Sequence, residues 1–266
     1  MMNNPKTLIF YFVFAMLINA VFAQEQVKTA QDEYSKKDTK TYDIKSLDGQ
    51  NQKIHIMPDY PKHILRMSCL KDTISIIDYW GTPADIHVLN DNFIELDYGV
   101  RGGSDLSLGN MIILCIDKNK LYEAMHVLRH MDSETSYMID SKKFHYRSNY
   151  NIKVTLSGNS KSNYKLNVNV HDYVKSTSEP DGNYNYDNMS ILSFDADKNV
   201  FYCVKDDLYG TFKLYHNGRH NKTKQNIRGD FPVIILGKEF YYFIKDGWYT
   251  RGQNDQLDGY TSRTTK

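Results

Sequence analysis

The sequence predicts an all-β protein built from antiparallel hairpins, and three observations predict it. From His63 onward, short apolar and aromatic runs are separated by Asn, Asp, Gly and Lys, the residues of strands and tight turns. Residues 152–157 (Ile-Lys-Val-Thr-Leu-Ser) and 166–171 (Leu-Asn-Val-Asn-Val-His) alternate apolar and polar side chains, as a hairpin with one solvated face requires. The same grammar recurs in residues 86–98, 111–121, 191–204 and 233–244.

Taken in chain order, residues 1–23 read as a secretory signal peptide. Lys6 precedes an apolar core over residues 8–18, and Val21 and Ala23 stand before a cut at Gln24. The run is shorter than the roughly 20 apolar residues a spanning helix needs, and no later run approaches that length. A soluble mature chain, secreted or periplasmic, is expected, with no membrane span after cleavage. Residues 24–53 are polar and read as a flexible leader with room for one strand near residues 42–47. Residues 54–266 are expected to form a single β-rich domain.

Two hairpins share a skeleton. Asn110-Met111-Ile112-Ile113-Leu114-Cys115-Ile116-Asp117 is followed by Lys118-Asn119-Lys120-Leu121-Tyr122. Asn188-Met189-Ser190-Ile191-Leu192-Ser193-Phe194-Asp195 is followed, after two residues, by Lys198-Asn199-Val200-Phe201-Tyr202. First strands near positions 112, 154, 191 and 233 are 42, 37 and 42 residues apart. In this spacing and turn chemistry the hairpins resemble the four-stranded blades of β-propellers, although no named blade signature matches. The resemblance implies a propeller-like arrangement; a β-sandwich is the alternative.

Residues 119–131 resist the strand reading. Leu121, Ala124, Met125, Leu128 and Met131 fall at helical spacing, so an α+β fold with one short helix there is a further alternative. The repeat spacing favours a strand.

Composition narrows the function classes. The 266 residues carry 33 Lys+Arg against 32 Asp+Glu and are 41% hydrophobic, which excludes a disordered chain. The balance leaves no electrostatic footprint for nucleic acid. Three cysteines, Cys69, Cys115 and Cys203, are too few for a disulfide scaffold; each sits in an apolar run and reads as a small buried hydrophobe.

Few motifs carry chemistry. His126 and His130 are four apart, close enough for one metal ion on a helix but about 13 Å apart on a strand. His216 and His220 flank an Asn-Gly turn in a cationic neighbourhood. Asp195-x-Asp197-x-Asn199 begins like a calcium loop but lacks its later glycine and glutamate and reads as a turn. Glu95 and Asp97 share one strand face and read as solvated. No nucleophile elbow, metal set or cofactor fingerprint is present in the sequence, so no cofactor is expected.

The densest combination of cations, backbone donors and aromatic faces lies in two segments. Arg101-Gly102-Gly103 offers a planar guanidinium beside backbone that a ligand can approach closely. Tyr242, Trp248 and Tyr249 offer stacking area, with Arg251 at the rim. The expected function is that of an exported, non-catalytic binding protein for a glycan, peptide or envelope partner. A secreted glycan hydrolase working through a carboxylate pair is the alternative.

Overall fold

A computed structural model describes residue 27 and residues 29–265, apart from residues 71, 81–82, 140–141, 177–182, 217–220, 253–254 and 260. The signal-peptide reading of residues 1–23 and the tip between His216 and His220 lie outside the described residues.

The chain is all-β, with antiparallel sheets. Three assemblies follow one another along it. The first holds β1 (Lys40–Lys45), β2 (Asn51–Asp59), β3 (Ile64–Cys69) and β4 (Asp72–Ile77), closed at its edge by β18 (Thr261–Thr265). The second is an eight-stranded meander of β5 (Asp85–Asn90), β6 (Phe93–Val100), β7 (Leu106–Asp117), β8 (Lys120–Ile139), β9 (Lys142–Ser157), β10 (Lys165–Ser176), β11 (Tyr184–Asp195) and β12 (Val200–Tyr202). The third is a closed barrel of β13 (Val204–His216), β14 (Asn221–Leu236), β15 (Glu239–Ile244), β16 (Gly247–Arg251) and β17 (Gln256–Gly259), sealed by parallel pairing of β13 with β17.

The described strands do not form propeller blades. The spacing near 40 residues arises because β7, β9 and β11 are every second strand of one meander, each strand being 12 to 20 residues long. A blade would instead fit four strands into that length. Part of the polar leader is likewise ordered: residues 29–37 are helical, and β1 pairs with β2 from Lys40↔Ile56 to Lys45↔Asn51. Ile44, Ile54 and Ile56 are the reason, because these sparse apolar side chains are buried in the core shared with the meander.

The run 111–116 is apolar without alternation because both of its faces are covered. Ile112, Leu114 and Ile116 pack against Leu65, Met67 and Ile74 of the first sheet, while Met111, Ile113 and Cys115 face a second core. Each such aliphatic side chain, fully buried, contributes roughly 1.5–3 kcal/mol. Leu114→Ala would forfeit that and leave a cavity.

Residues 119–131 are strand, within β8. Its pairing to β7 shifts register twice, between Ile113 and Leu114 and again between Gly109 and Asn110, leaving Ala124 and Arg129 as extra residues. A bulge advances the alternation by one residue. Two bulges turn a period of two into a spacing of three and four, which imitates a helix.

The second bulge also marks a corner. β8 pairs with β9 only from His130↔Asn151 outward to Ile139↔Lys142. β9 and β10 remain paired down to Ser157↔Lys165. Below the corner β9 leaves β8, and the strands β9–β12 close back over β6–β8. Phe93, Met111 and Met125 from one half share a core with Ile152, Val168 and Phe201 from the other. The barrel adds Ile234, Tyr241 and Trp248 to the same core, so the three assemblies are packed together.

Candidate functional site

At the corner lies a cavity of about 870 Å³. β6 brings Asp97 to it, the bulge in β8 brings Arg129 and His130, and β9 brings Asn151 and Lys153. Above them stand Trp80, just after β4, and the loop Arg101–Gly102 between β6 and β7.

Arg129 organises the floor. Its Nε lies 3.1 Å from Asp97 Oδ2 and its Nη2 lies 3.4 Å from Glu95 Oε1. Its Nη1 donates to the carbonyl of Ile152, tying the bulge of β8 to the strand that leaves it. Alternation places Glu95 and Asp97 on one face, as the sequence indicates, but the folded sheet buries that face rather than solvating it. Burial, reinforced for Glu95 by the charge of Asp97, pushes both carboxyls above their ordinary values, and Arg129 only partly opposes this. One cation serves two acids, so the pair favours taking up a proton. Asp97 Oδ1 is buried with no hydrogen-bond partner among the described residues.

The rim is held by stacking. Trp80 packs on His63 with ring centroids 3.6 Å apart and planes 16° from parallel. Its Nε1 donates to Asp78 Oδ1 at 2.5 Å, and its backbone N–H donates to Gly99 O at 3.0 Å. The Arg101 guanidinium lies 5.2 Å from the Trp80 ring centroid. That is within cation–π range, and the guanidinium makes no ion pair among the described residues. On the opposite strand His130 rests where a β-carbon on Gly109 would stand, and its Nε2 is 3.3 Å from Ser107 Oγ.

The residues expected from sequence are split between two cavities. Arg101 and Gly102 line the large one. Gly102 is needed for packing, since a β-carbon there would overlap the carbonyl of Leu106; Gly103 lies outside the lining. Trp248, Tyr249 and Arg251 line a smaller cavity of about 250 Å³ between meander and barrel. Both cavities touch Val100, Leu108 and Asn110, so the two segments do converge on one wall.

The expected stacking platform is not open to a ligand, however. Tyr242 points into the barrel core and donates from its hydroxyl to Asp206 Oδ2 at 3.1 Å. Trp248 is 3% exposed and its Nε1 donates to Glu123 O at 2.8 Å. Burial pushes the Tyr249 phenol up to about 12. These side chains serve packing: Tyr242 and Tyr249 lie in the barrel core, while Trp248, on the opposite face of β16, packs in the core shared with the meander.

His126 and His130 separate as strand geometry demands. His126 is buried, with Nε2 2.7 Å from Tyr98 Oη and Nδ1 3.2 Å from Glu123 Oε2. Asn110 Nδ2 donates to the same Tyr98 hydroxyl at 3.1 Å. Asp195 turns out to be a turn residue, its Oδ1 accepting from the N–H groups of Asp197 and Lys198 at 3.1 Å each. Burial pushes its carboxyl up, but the Lys198 N–H and the Lys205 ammonium together hold it below its ordinary value. Among the described residues no group of three or more His, Cys, Asp or Glu is arranged to hold a metal ion.

Sequence reasoning missed Trp80, Arg129, Asn151 and Lys153 as members of a site, and weighed His130 only as a metal ligand beside His126. No single run contains them; only the corner brings them together. The available signal was a tryptophan in a turn-rich stretch, Asp78 to Asp85, of a chain with just two tryptophans.

The class that fold and site define is an all-β protein with a polar, charged cavity on one sheet corner. No family model, curated protein or solved structure matches the chain.

Proposed function

We propose that this is an exported, non-catalytic binding protein whose corner cavity takes a glycan. The observation that carries the reading is the arrangement of Arg101 on Trp80. Held over the Trp80 ring, the guanidinium has no ion-pair partner among the described residues, and it shares a cavity with Lys153 and Asn151. The carboxylates beside them are engaged by Arg129. Such a lining offers donors and acceptors to hydroxyl-rich ligands, with orientation set by a few charges. Export rests on the residues 1–23 of the sequence.

Glycan hydrolysis is the second reading, favoured by the raised carboxyls of Glu95 and Asp97. Against it stands their placement: both are on β6 and share one guanidinium, whereas acid and base or nucleophile flank the scissile bond.

A glycan-binding screen with Arg101→Ala tests the proposal. Loss of one charge-assisted contact costs about 1.5–3 kcal/mol, so binding should fall by roughly 10- to 100-fold with an unchanged melting temperature. Unaltered binding by the variant would overturn the site. Release of new reducing ends, abolished by Asp97→Asn, would favour the hydrolase.

A further inference from the structure

The corner cavity does not end at β9. A second cavity of about 560 Å³ continues over β10 and β11, and Asn151 and Lys153 line both. The register explains the continuity. His130 pairs with Asn151, Asn151 with His171, and His171 with Asp187. One row of polar side chains therefore crosses four neighbouring strands on a single face. At about 4.8 Å per strand the row is roughly 14 Å long, and Gly109 extends it by one strand toward Arg101. A second row, Lys153–Asn169–Met189, runs beside it.

We infer that this trough binds an extended acidic polysaccharide, laid across the strands from the Arg101 end to Asp187. The inference rests on the glycan reading of the corner cavity and adds both the shape and the charge of the ligand.

The lining carries three carboxylates, Asp85, Asp97 and Asp187, against Arg101, Arg129 and Lys153, but only the carboxylates all have partners. Asp97 is engaged by Arg129, Asp85 lies 3.2 Å from His87 Nε2, and Asp187 lies 2.5 Å from His171 Nδ1. Arg101 and Lys153 have no ion pair among the described residues, and Lys153 stands where the two cavities join. Unpaired cations at the end and the middle of a trough fit a ligand carrying repeated negative charge.

The lining between the charges fits sugar. The side-chain amides of Asn149, Asn151 and Asn169 make no hydrogen bond among the described residues. Each offers two donors and an acceptor, the complement of neighbouring hydroxyl groups. A peptide is a poorer match. Peptides join sheets at a strand edge, through free backbone groups, whereas this trough lies on a sheet face whose backbone is already paired across β8–β11.

The test uses the whole protein and three acidic series: oligogalacturonides, oligomannuronates and heparin oligosaccharides, each from two to eight sugar units. Each is compared with its neutral form, methyl-esterified for the uronates and, for heparin, desulfated, N-acetylated and methyl-esterified, by titration calorimetry. At least one acidic series should bind at least about 10-fold more tightly than its neutral form and tighten with length. Lys153→Ala should erase most of the charge preference. Asn169→Ala, remote from Arg101, should weaken the long oligomers and leave the shortest unchanged.

Equal binding of charged and neutral forms overturns the acidic ligand, and affinity independent of length overturns the trough. If neutral glycans bind and remain sensitive to Arg101→Ala, the cavity reading survives while this inference fails. If no glycan of either kind binds, both fall.

Discussion

Arg129→Met would test how the corner is held together. The side chains of Arg129, Glu95 and Asp97 are 21%, 6% and 19% exposed, so the substitution strands two carboxyls with little solvent to replace the guanidinium. Removing one partner of a buried pair costs about 3–5 kcal/mol; with Arg129 partly solvated, the lower end, about 3 kcal/mol, is expected. For a chain of this size each kcal/mol moves the melting temperature about 2–4 °C, so Tm should fall by about 6–12 °C at neutral pH.

The loss should depend on pH. Both carboxyls sit above their ordinary values through burial, and losing Arg129 raises them further. A carboxyl raised in the folded state contributes stability that is complete below its unfolded-state pKa and is lost as pH rises through the folded pKa. Acidification from about pH 7.5 to about pH 5 should therefore narrow the gap between variant and wild type. Adding Glu95→Gln and Asp97→Asn should close most of it at neutral pH. Thermal and urea unfolding at the two pH values measures this. A gap equal at both, or smaller than about 1 kcal/mol at neutral pH, would refute the account of the corner as one cation holding two buried acids.

Three further outcomes are expected. Arg263 Nη1 donates to Asp72 Oδ2 at 2.5 Å and to Leu121 O at 2.7 Å, closing β18 onto β4 and β8; Arg263→Ala should cost about 3–5 kcal/mol and speed amide exchange along β18, whereas unchanged exchange would show the latch to be idle. Trp248→Ala should destabilise by about 3–5 kcal/mol, because it empties buried core and orphans the Glu123 carbonyl; a normal melting curve with weakened ligand binding would return Trp248 to the site. Burial pushes all three thiols up, Cys69 to about 11, and only Cys203 is exposed; mass spectrometry after brief maleimide treatment of native protein should find Cys203 labelled first, and early labelling of Cys115 would contradict the packing of β7.

Much of this architecture was legible in the order of residues. The alternation of 152–157 and 166–171 became β9 and β10 with Leu156 opposite Leu166, because a half-buried sheet imposes its period on the chain directly. Arg101 beside a glycine was legible as a cation on a loop. The bulges in β8 were not, since an inserted residue makes strand spacing look helical. Periodicity also says which side chains share a face, never what covers it. Glu95 and Asp97 looked solvated and Trp248 looked available, yet the folding of one sheet over its own half buried the acids and the packing of the barrel against that sheet buried the indole. The sequence by itself determined strand composition, turn chemistry and the near-neutral charge balance, which are local or additive properties. The tertiary structure alone decided the corner, because Trp80, Asp97, Arg129 and Lys153 come from separate segments of the chain and meet only where β9 leaves β8.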